Sequence, residues 1–448
     1  MRNILIIGAG KSTAYIVKYL TSKSLKENLF IKVGDIDLNS AKKLVDGQKN
    51  ISAIEFDIFN KSNSSKEIAQ SDIVISMLPA KFHILVAKEC LKHRKSLLTA
   101  SYISDEMNEL DEEVKKAGLI FMNEIGVDPG IDHMSAMKII DQIKDDGNEL
   151  VSFKSYTGGL IAPESDNNLW NYKFTWNPRN VVLAGQGGDA KYIEENKEIS
   201  ISYNDLFKNT ESLLIDQYGE FEAYANRDSL KYRSIYKLND IETIYRGTIR
   251  RAGFCNAWNI FVQLGMTDDS YNIENSNNMS YREYVKYFFQ SNSKNSVEAN
   301  IKKKFNLDEK DIVWQKLLEL DIFSDINKIS LTNATPAQIL EHILVKNWKL
   351  EKNDKDMIVM YHKFGFKKNN VLHQIDSTMV SIGEDEKYTA MAKTVGLPLA
   401  IAALAILNQK IKSSGVILPV SKEIYTPILN ELKEYGIEFN EKYVPFEK

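Results

Sequence analysis

The chain's first thirty-five residues constrain its fold more than any other stretch. Residues 4–7 are an unbroken apolar run (Ile4, Leu5, Ile6, Ile7), the pattern of a strand buried on both faces of a parallel sheet. The run passes straight into Gly8-Ala9-Gly10, and an amphipathic helix is expected over residues 12–20. A second strand over residues 29–33 ends at Gly34-Asp35. Strand, glycine turn, helix, strand and acid in this order form a dinucleotide-binding unit. Asp35 lies about 25 residues beyond the first glycine, the spacing of a carboxylate that hydrogen-bonds the adenosine ribose. The third fingerprint glycine is replaced by Thr13, a small residue where close helix–strand packing is wanted. Gly10-Lys11-Ser12 has the look of a phosphate-cradling Walker loop, but Leu5 stands where that motif needs its first glycine.

The alternation continues through strand-like runs near residues 53–57, 72–79, 96–99 and 118–122, separated by helical segments. This is a doubly wound α/β pattern, in which ligands gather beyond the carboxyl ends of the strands. Gly8, Asp35, Asp57, Ser76, Ser101 and Glu124 all fall at such ends. The expected cofactor site comprises Gly8, Gly10, Lys11, Ser12 and Thr13, then Asp35 and Asp57, then Ser76, Met77 and Leu78, with Val127, Asp128 and Pro129 beside the nicotinamide. A carboxylate at position 35 repels a 2′-phosphate, and Ile36 follows it where an arginine would accommodate one. NAD is therefore expected, with NADP as the alternative. Asp35 could instead cap the next helix, a task open equally to Asp37 or Asn39.

Composition narrows the function classes. A net charge of −4 gives no basic face, so nucleic acid is not an expected partner. The two cysteines, Cys90 and Cys255, lie far apart without metal-ligand spacing, which fits a reducing, cytoplasmic setting and no metal site. No targeting segment is expected in the opening strand, and the apolar run 395–407 is interrupted by Pro398 and too short to span a bilayer.

Residues 122–134 concentrate chemistry: Asp128 and Asp132 as carboxylates, His133 as an imidazole, and turn-forming Gly126, Pro129 and Gly130. This segment, together with Ile75-Ser76-Met77-Leu78-Pro79 and His83, and with Thr99-Ala100-Ser101-Tyr102-Ile103, resembles the glutamate-forming saccharopine dehydrogenases. The resemblance extends through Tyr156-Thr157-Gly158-Gly159-Leu160, Ala162-Pro163-Glu164, Tyr172-Lys173-Phe174-Thr175-Trp176, Asn226-Arg227-Asp228-Ser229, Arg246-Gly247-Thr248-Ile249-Arg250, Lys363-Phe364-Gly365 and the segment 390–398.

It implies NAD-dependent oxidative cleavage of L-saccharopine to L-glutamate and 2-aminoadipate 6-semialdehyde by a homodimer. A biosynthetic, NADP-using reductase or a lysine 6-dehydrogenase-like enzyme is the alternative. The substrate carries several carboxylates, which planar guanidinium forks bind bidentately. Arg227 and Arg250 match family positions at those carboxylates, with Thr248 and Ile249 adding contacts; either arginine could equally serve in a surface ion pair, and Asp228 could neutralise Arg227. Ser101 and Tyr102 match positions that touch the substrate, while Ser104 is the better helix cap. Asp128 matches an acid facing the substrate amine, so Asp128 and Tyr102 are the expected catalytic pair; Asp128 also suits a local Asp-Pro-Gly turn. Asp132 and His133 remain open between site and helix-start roles. Two departures stand out. Thr157 replaces a family cysteine, and a hydroxyl cannot ionise near neutral pH as a thiol can; Ala80 replaces a common tyrosine.

The expected organisation is a Rossmann-type domain over residues 1–130 and an α+β substrate domain over 131–389 with a helical subdomain at about 255–350. A C-terminal segment, 390–448, then returns to the first domain and leaves the two joined twice, as a hinge requires.

Overall fold

The computed structural model describes residues 1–289 and 295–446. They form two compact units, residues 1–150 with 364–448, and residues 151–363. The first unit holds a seven-stranded parallel sheet. Its strands in chain order are β1 (Arg2–Ile7), β2 (Leu29–Asp35), β3 (Ile51–Glu55), β4 (Ile73–Ser76), β5 (Ser96–Thr99), β6 (Ile120–Met122) and a late strand, Gly415–Ile417. Across the sheet the order is the late strand, β6, β5, β4, β1, β2, β3. The order reverses between β1 and β4, where the crevice beyond the strand ends opens for a ligand. Ile4 to Ile7 are fully buried, as their unbroken apolar run requires.

The first helix begins with a single 3-10 turn, Lys11–Thr13, and continues as Ala14–Lys23. Against it lies the long apolar helix Ala390–Leu407. Gly396 makes this contact possible, because a Cβ there would come within 3.1 Å of the backbone oxygen of Ser12. By length and hydropathy this helix could cross a membrane, but 78% of it is buried in the protein. It is a core helix.

The boundaries differ from the expected 130 and 389. The helix Ile131–Asp145 belongs to the first unit because it packs on Lys422–Lys433, with Tyr425 donating to Asp141 at 2.7 Å and Lys138 pairing with Glu441. Residues 364–389 join it because Val371–Ile382 pairs antiparallel with Asn440–Val444. The turn at Asn369 and Asn370 has φ of 51° and 64°, the left-handed pair that a type I′ hairpin needs.

The second unit is built on the strands Thr210–Ile215, Gly219–Ala225, Thr243–Arg251, Glu149–Ile161 and the start of Asp356–Lys368, in that spatial order. The first three are antiparallel, and Thr243–Arg251 runs parallel to Glu149–Ile161. The hairpin Ala190–Glu194 and Lys197–Ile201 flanks them. Helices Phe254–Leu264, Tyr281–Tyr287, Val297–Phe305, Ile312–Glu319 and Pro336–Asn347 form the expected helical insertion. An aromatic cluster packs it: Trp170, from the loop after Glu149–Ile161, stacks on Phe261 and meets Phe254 and Trp348 edge-on or nearly so.

Candidate active site

The glycine turn is shaped for close backbone approach. Gly8 sits at φ +107°, and a Cβ there would meet the Met77 backbone oxygen at 2.9 Å. Gly10 is exposed, and a Cβ there would meet nothing within 4 Å, which leaves room for a phosphate. Thr13 is fully buried; its hydroxyl donates to the Gly8 carbonyl at 2.9 Å. It therefore ties the turn rather than reaching outward, while Lys11 is exposed and Ser12 half-buried at the helix entrance.

Asp35 stands at the end of β2. It accepts from the Ala9 amide at 2.7 Å and from the Asp37 amide at 2.9 Å. The helix Leu38–Val45 is capped by Asp37, which accepts from Asn39 N. Of the capping alternatives, Asp37 takes the task, and Asp35 anchors the glycine turn. The exposed Ile36 follows it. Asp57 is half-buried beyond β3 and accepts from Phe59 N at 2.9 Å. Met77 lies against the turn through its backbone, with its amide donating to the Ile7 carbonyl, and Leu78 is half-buried beside it.

At the ends of β4 and β5 a buried imidazole joins three hydroxyls. His83 Nδ1 lies 2.9 Å from Ser76 Oγ, and Nε2 lies 2.8 Å from Ser101 Oγ and 2.9 Å from Thr99 Oγ1. Burial pushes the His83 pKa down to about 4, so the ring is neutral at neutral pH. The sequence showed His83 only as part of a motif. Its spacing from Ser76 is one helical turn into the following helix, a signal too common to single out.

The segment 122–134 folds into a tight loop. Glu124 takes φ +55° and is 2% exposed. Its carboxylate accepts from the Ile103 amide at 3.0 Å and faces His133 Nε2 at 2.9 Å. Asp132 accepts from the Gly130 amide. These interactions settle the open roles: His133 is a core histidine paired to Glu124, and Asp132 ties the helix start. Gly130, at φ +147°, could not be another residue, because a Cβ would lie 2.2 Å from the Gly126 carbonyl oxygen. Within this frame Val127 is buried, and Asp128 and Pro129 hold the turn, with Asp128 Oδ1 3.4 Å from Tyr102 OH. The two expected catalytic groups therefore meet. Ser104 caps the helix Asp105–Asn108, which releases Ser101 and Tyr102 from that duty.

In the second unit the two arginines differ. Arg250 is 4% exposed and ringed by Tyr172, Tyr224 and Phe254, at 5.3, 5.7 and 5.4 Å from its guanidinium carbon. Nη1 donates to the Ile249 carbonyl, and Nε has no partner. No carboxylate among the described residues forms an ion pair with it. Burial alone would lower its pKa, but Tyr224, Tyr172, Cys255 and Glu222 reverse that, and the fork stays cationic. Glu222, the nearby acid, is engaged by the Cys255 amide at 2.6 Å.

Arg227, by contrast, is exposed on a loop at φ +51°. Asp228 accepts from Leu230 N in capping the next turn. Thr248 is half-buried and lies opposite Thr157 in the parallel register, while Ile249 is fully buried and contributes its carbonyl. Thr157 Oγ1 is buried without a hydrogen-bond partner. Gly158 is required beside it, since a Cβ would come within 2.6 Å of the Ile249 oxygen.

Comparison with known proteins agrees with this layout. Residues 4–122 match the family described as "Saccharopine dehydrogenase NADP binding domain", and residues 126–437 match "Saccharopine dehydrogenase C-terminal domain". The chain is 36% identical to the Saccharopine dehydrogenase [NADP(+), L-glutamate-forming] of Saccharomyces cerevisiae, over 99% of both chains. It is 30% identical to the alpha-aminoadipic semialdehyde synthase of Arabidopsis thaliana, matching 98% of this chain and 44% of that protein. Among solved structures, the apo saccharopine dehydrogenase (L-Glu forming) of Saccharomyces cerevisiae superposes with a TM-score of 0.89 at 36% identity, covering 99% of this chain and 100% of that one. A homospermidine synthase from Legionella pneumophila, at 9% identity and TM-score 0.55, shares the fold alone. The chain belongs to the saccharopine dehydrogenase family, oxidoreductases of lysine metabolism.

Proposed function

We propose that this protein oxidises L-saccharopine with NAD as its preferred acceptor and releases L-glutamate and 2-aminoadipate 6-semialdehyde. The observation that carries the substrate reading is Arg250. A buried guanidinium in an aromatic cage, with no ion-pair partner among the described residues, is a prepared seat for an anionic arm.

The nucleotide fits the residues present. Gly8 and Gly10 open the turn, and the helix entrance at Lys11 and Ser12 would present backbone amides to a pyrophosphate, while the Thr13 amide closes the turn on the Gly10 carbonyl. The oxidised nicotinamide, when bound, supplies the hydride acceptor. Asp128 holds the secondary ammonium of the substrate and takes its proton, which leaves a neutral amine able to release hydride from the neighbouring carbon. Tyr102 orients the Asp128 carboxylate. Addition of water to the resulting imine gives a carbinolamine, and its C–N bond breaks to yield the amine of glutamate and the aldehyde. Thr157 stands in no position to act as an acid or base at neutral pH, so proton transfer falls to the carboxylate and to water.

The preference for NAD rests on Asp35. Its carboxylate is held beside the glycine turn by the Ala9 amide and is followed by the uncharged Ile36, an arrangement that accepts ribose hydroxyls and opposes a 2′-phosphate. The NADP-dependent reading is supported by the names of the fungal relatives. One assay separates the two. Saccharopine is incubated with NAD or with NADP, and the absorbance of the reduced cofactor is followed. Turnover with NAD at a kcat/KM at least about tenfold above that with NADP is expected. A higher value with NADP overturns the cofactor assignment, and no turnover with either overturns the substrate. We also propose a homodimer, which light scattering of the purified protein would test.

A further inference from the structure

The bridge from Ser76 through His83 to Thr99 and Ser101 holds more information than its distances. A neutral imidazole has one N–H and one lone pair, so only one of its nitrogens can donate. Hydrogen positions follow from satisfying each buried group. Ser76 is fully buried, and among the described residues the one hydrogen-bond partner of its hydroxyl is His83 Nδ1. Thr99 is 1% exposed; its hydroxyl faces His83 Nε2 and also accepts from the Ser101 amide at 3.3 Å.

Each tautomer leaves one buried hydroxyl proton without an acceptor. With the proton on Nε2, Ser76 donates to Nδ1, and the Thr99 proton has nowhere to go. With the proton on Nδ1, the single Nε2 lone pair accepts from the buried Thr99 rather than from the half-buried Ser101, the ring donates to Ser76, and the Ser76 proton is the buried one left over. A bound ligand can rescue only one of these cases. Ser76 pairs with Ile7 at the end of β4, where β1 leads into the glycine turn. Met77, next in the chain, packs its carbonyl on Gly8. Thr99 pairs with Ser76 from the far side, on β5, one strand further from the glycine turn.

We infer that His83 is a positioning residue for nucleotide binding: in the nucleotide complex it is the Nδ1–H tautomer, anchored by Thr99, and it orients Ser76 to donate its hydroxyl proton to the bound dinucleotide. This rests on the nucleotide assignment made above. His83 touches neither substrate nor nucleotide and acts through Ser76. The downward pKa shift is consistent with this role, because a ring neutral down to about pH 4 keeps the donor order fixed across the working range.

The test uses the full chain, with NAD as probe. Asparagine places an amide nitrogen where Nδ1 stands, and glutamine places one near Nε2. His83→Asn is expected to keep the NAD Kd within about twofold, whereas His83→Gln raises it about tenfold, the range of one lost hydrogen bond. Ser76→Ala should raise it similarly, and the Ser76→Ala/His83→Gln double variant should bind no worse than Ser76→Ala alone. A merely structural histidine would give additive losses and no difference between the two amides, which would overturn the inference.

The wild-type protein offers a measurement that needs no variant. It has six histidines. In 15N-histidine spectra with saturating NAD, one buried neutral ring must show its proton on Nδ1. A spectrum in which the resonance lost on His83→Asn belongs to an Nε2–H ring refutes the assignment. The two failures are distinguishable. If NAD does not bind the wild-type protein at all, the nucleotide reading falls; if NAD binds and His83→Gln binds it as well as wild type, only the inference falls.

Discussion

Replacing Arg250 by methionine should move stability and catalysis in opposite directions. In the free protein the guanidinium is buried with no ion-pair partner among the described residues. Its compensation comes from three ring faces within 5.3–5.7 Å and a single hydrogen bond to Ile249 O. Cation–π contacts contribute on the order of 0.5–1 kcal/mol each, and a neutral acceptor for a charged donor adds about 1.5–3 kcal/mol. Against these stands a desolvation cost of several kcal/mol for an ion taken out of water. Methionine fills a similar path through the cage, keeps sulfur–aromatic contacts and removes that cost. The ligand-free Arg250→Met protein should therefore melt at or above the wild-type temperature.

Substrate recognition should suffer instead. A carboxylate arm that loses its bidentate partner inside a water-poor cage loses roughly 3 kcal/mol, which is about 150-fold in kcat/KM. Most of this should appear in KM for saccharopine, because the carboxylate is held equally in ground and transition states. Arg250→Lys keeps the charge without the fork and should fall between. The assays are a thermal melt without ligand and initial rates over a range of saccharopine at saturating NAD. A melting temperature several degrees lower, with KM unchanged, would show that Arg250 is a structural cation and that the anionic arm binds elsewhere.

Other residues give equally direct expectations. Asp35→Ala combined with Ile36→Arg removes the repulsion of a 2′-phosphate and supplies a partner for it, so the ratio of kcat/KM for NADP over NAD should rise about 100-fold or more; Asp35→Asn is the control, since Asp35 also anchors the Ala9 and Asp37 amides, and an unchanged ratio in the double variant would remove Asp35 from the ribose site. Gly130→Ala would place a Cβ 2.2 Å from Gly126 O at a φ of +147°, so denaturation should report a loss of at least about 2–3 kcal/mol, and a melt equal to wild type would contradict the loop geometry. His83 should make stability acid-sensitive. Its folded pKa of about 4 lies below its ordinary 6.5, so the unfolded chain binds more protons between those values. The contribution is complete above pH 6.5 and is lost as pH falls toward 4, by about 3 kcal/mol in all. Melts from pH 7 to 4.5 should show a steeper decline for wild type than for His83→Asn, and parallel curves would mean the ring is not buried neutral.

What could be read from the sequence, and what could not, divides by the range of the interaction. The β1 turn and Asp35 were legible because an apolar run, two glycines and a spaced acid are local signals, and the structure adds only that Asp37 is the cap that leaves Asp35 beside the turn. The late strand Gly415–Ile417 was not legible: three residues carry no period, and its partner Ile120–Met122 lies far back in the chain. The helix Ile131–Asp145 looked like the start of a new domain because its partner, Lys422–Lys433, is supplied only at the other end of the sequence. The same rule separates the two arginines. Arg227 and Arg250 were equal as charges in motifs, since nothing within either motif reports burial. The cage around Arg250 is assembled from positions 172, 224 and 254, two of them distant in sequence, and only their convergence turns an ordinary cation into a buried one ringed by aromatic faces. His83 and Glu124 follow suit. Each is a common residue in a common place, and each acquires its role from groups that chain connectivity leaves apart and the sheet brings together: Thr99 and Ser101 for one, Ile103 N and His133 for the other. A motif can therefore nominate the residues of such a site, but the distinction between a binding group and a bystander is carried by desolvation and by unmet hydrogen bonds, which exist only once the chain has folded.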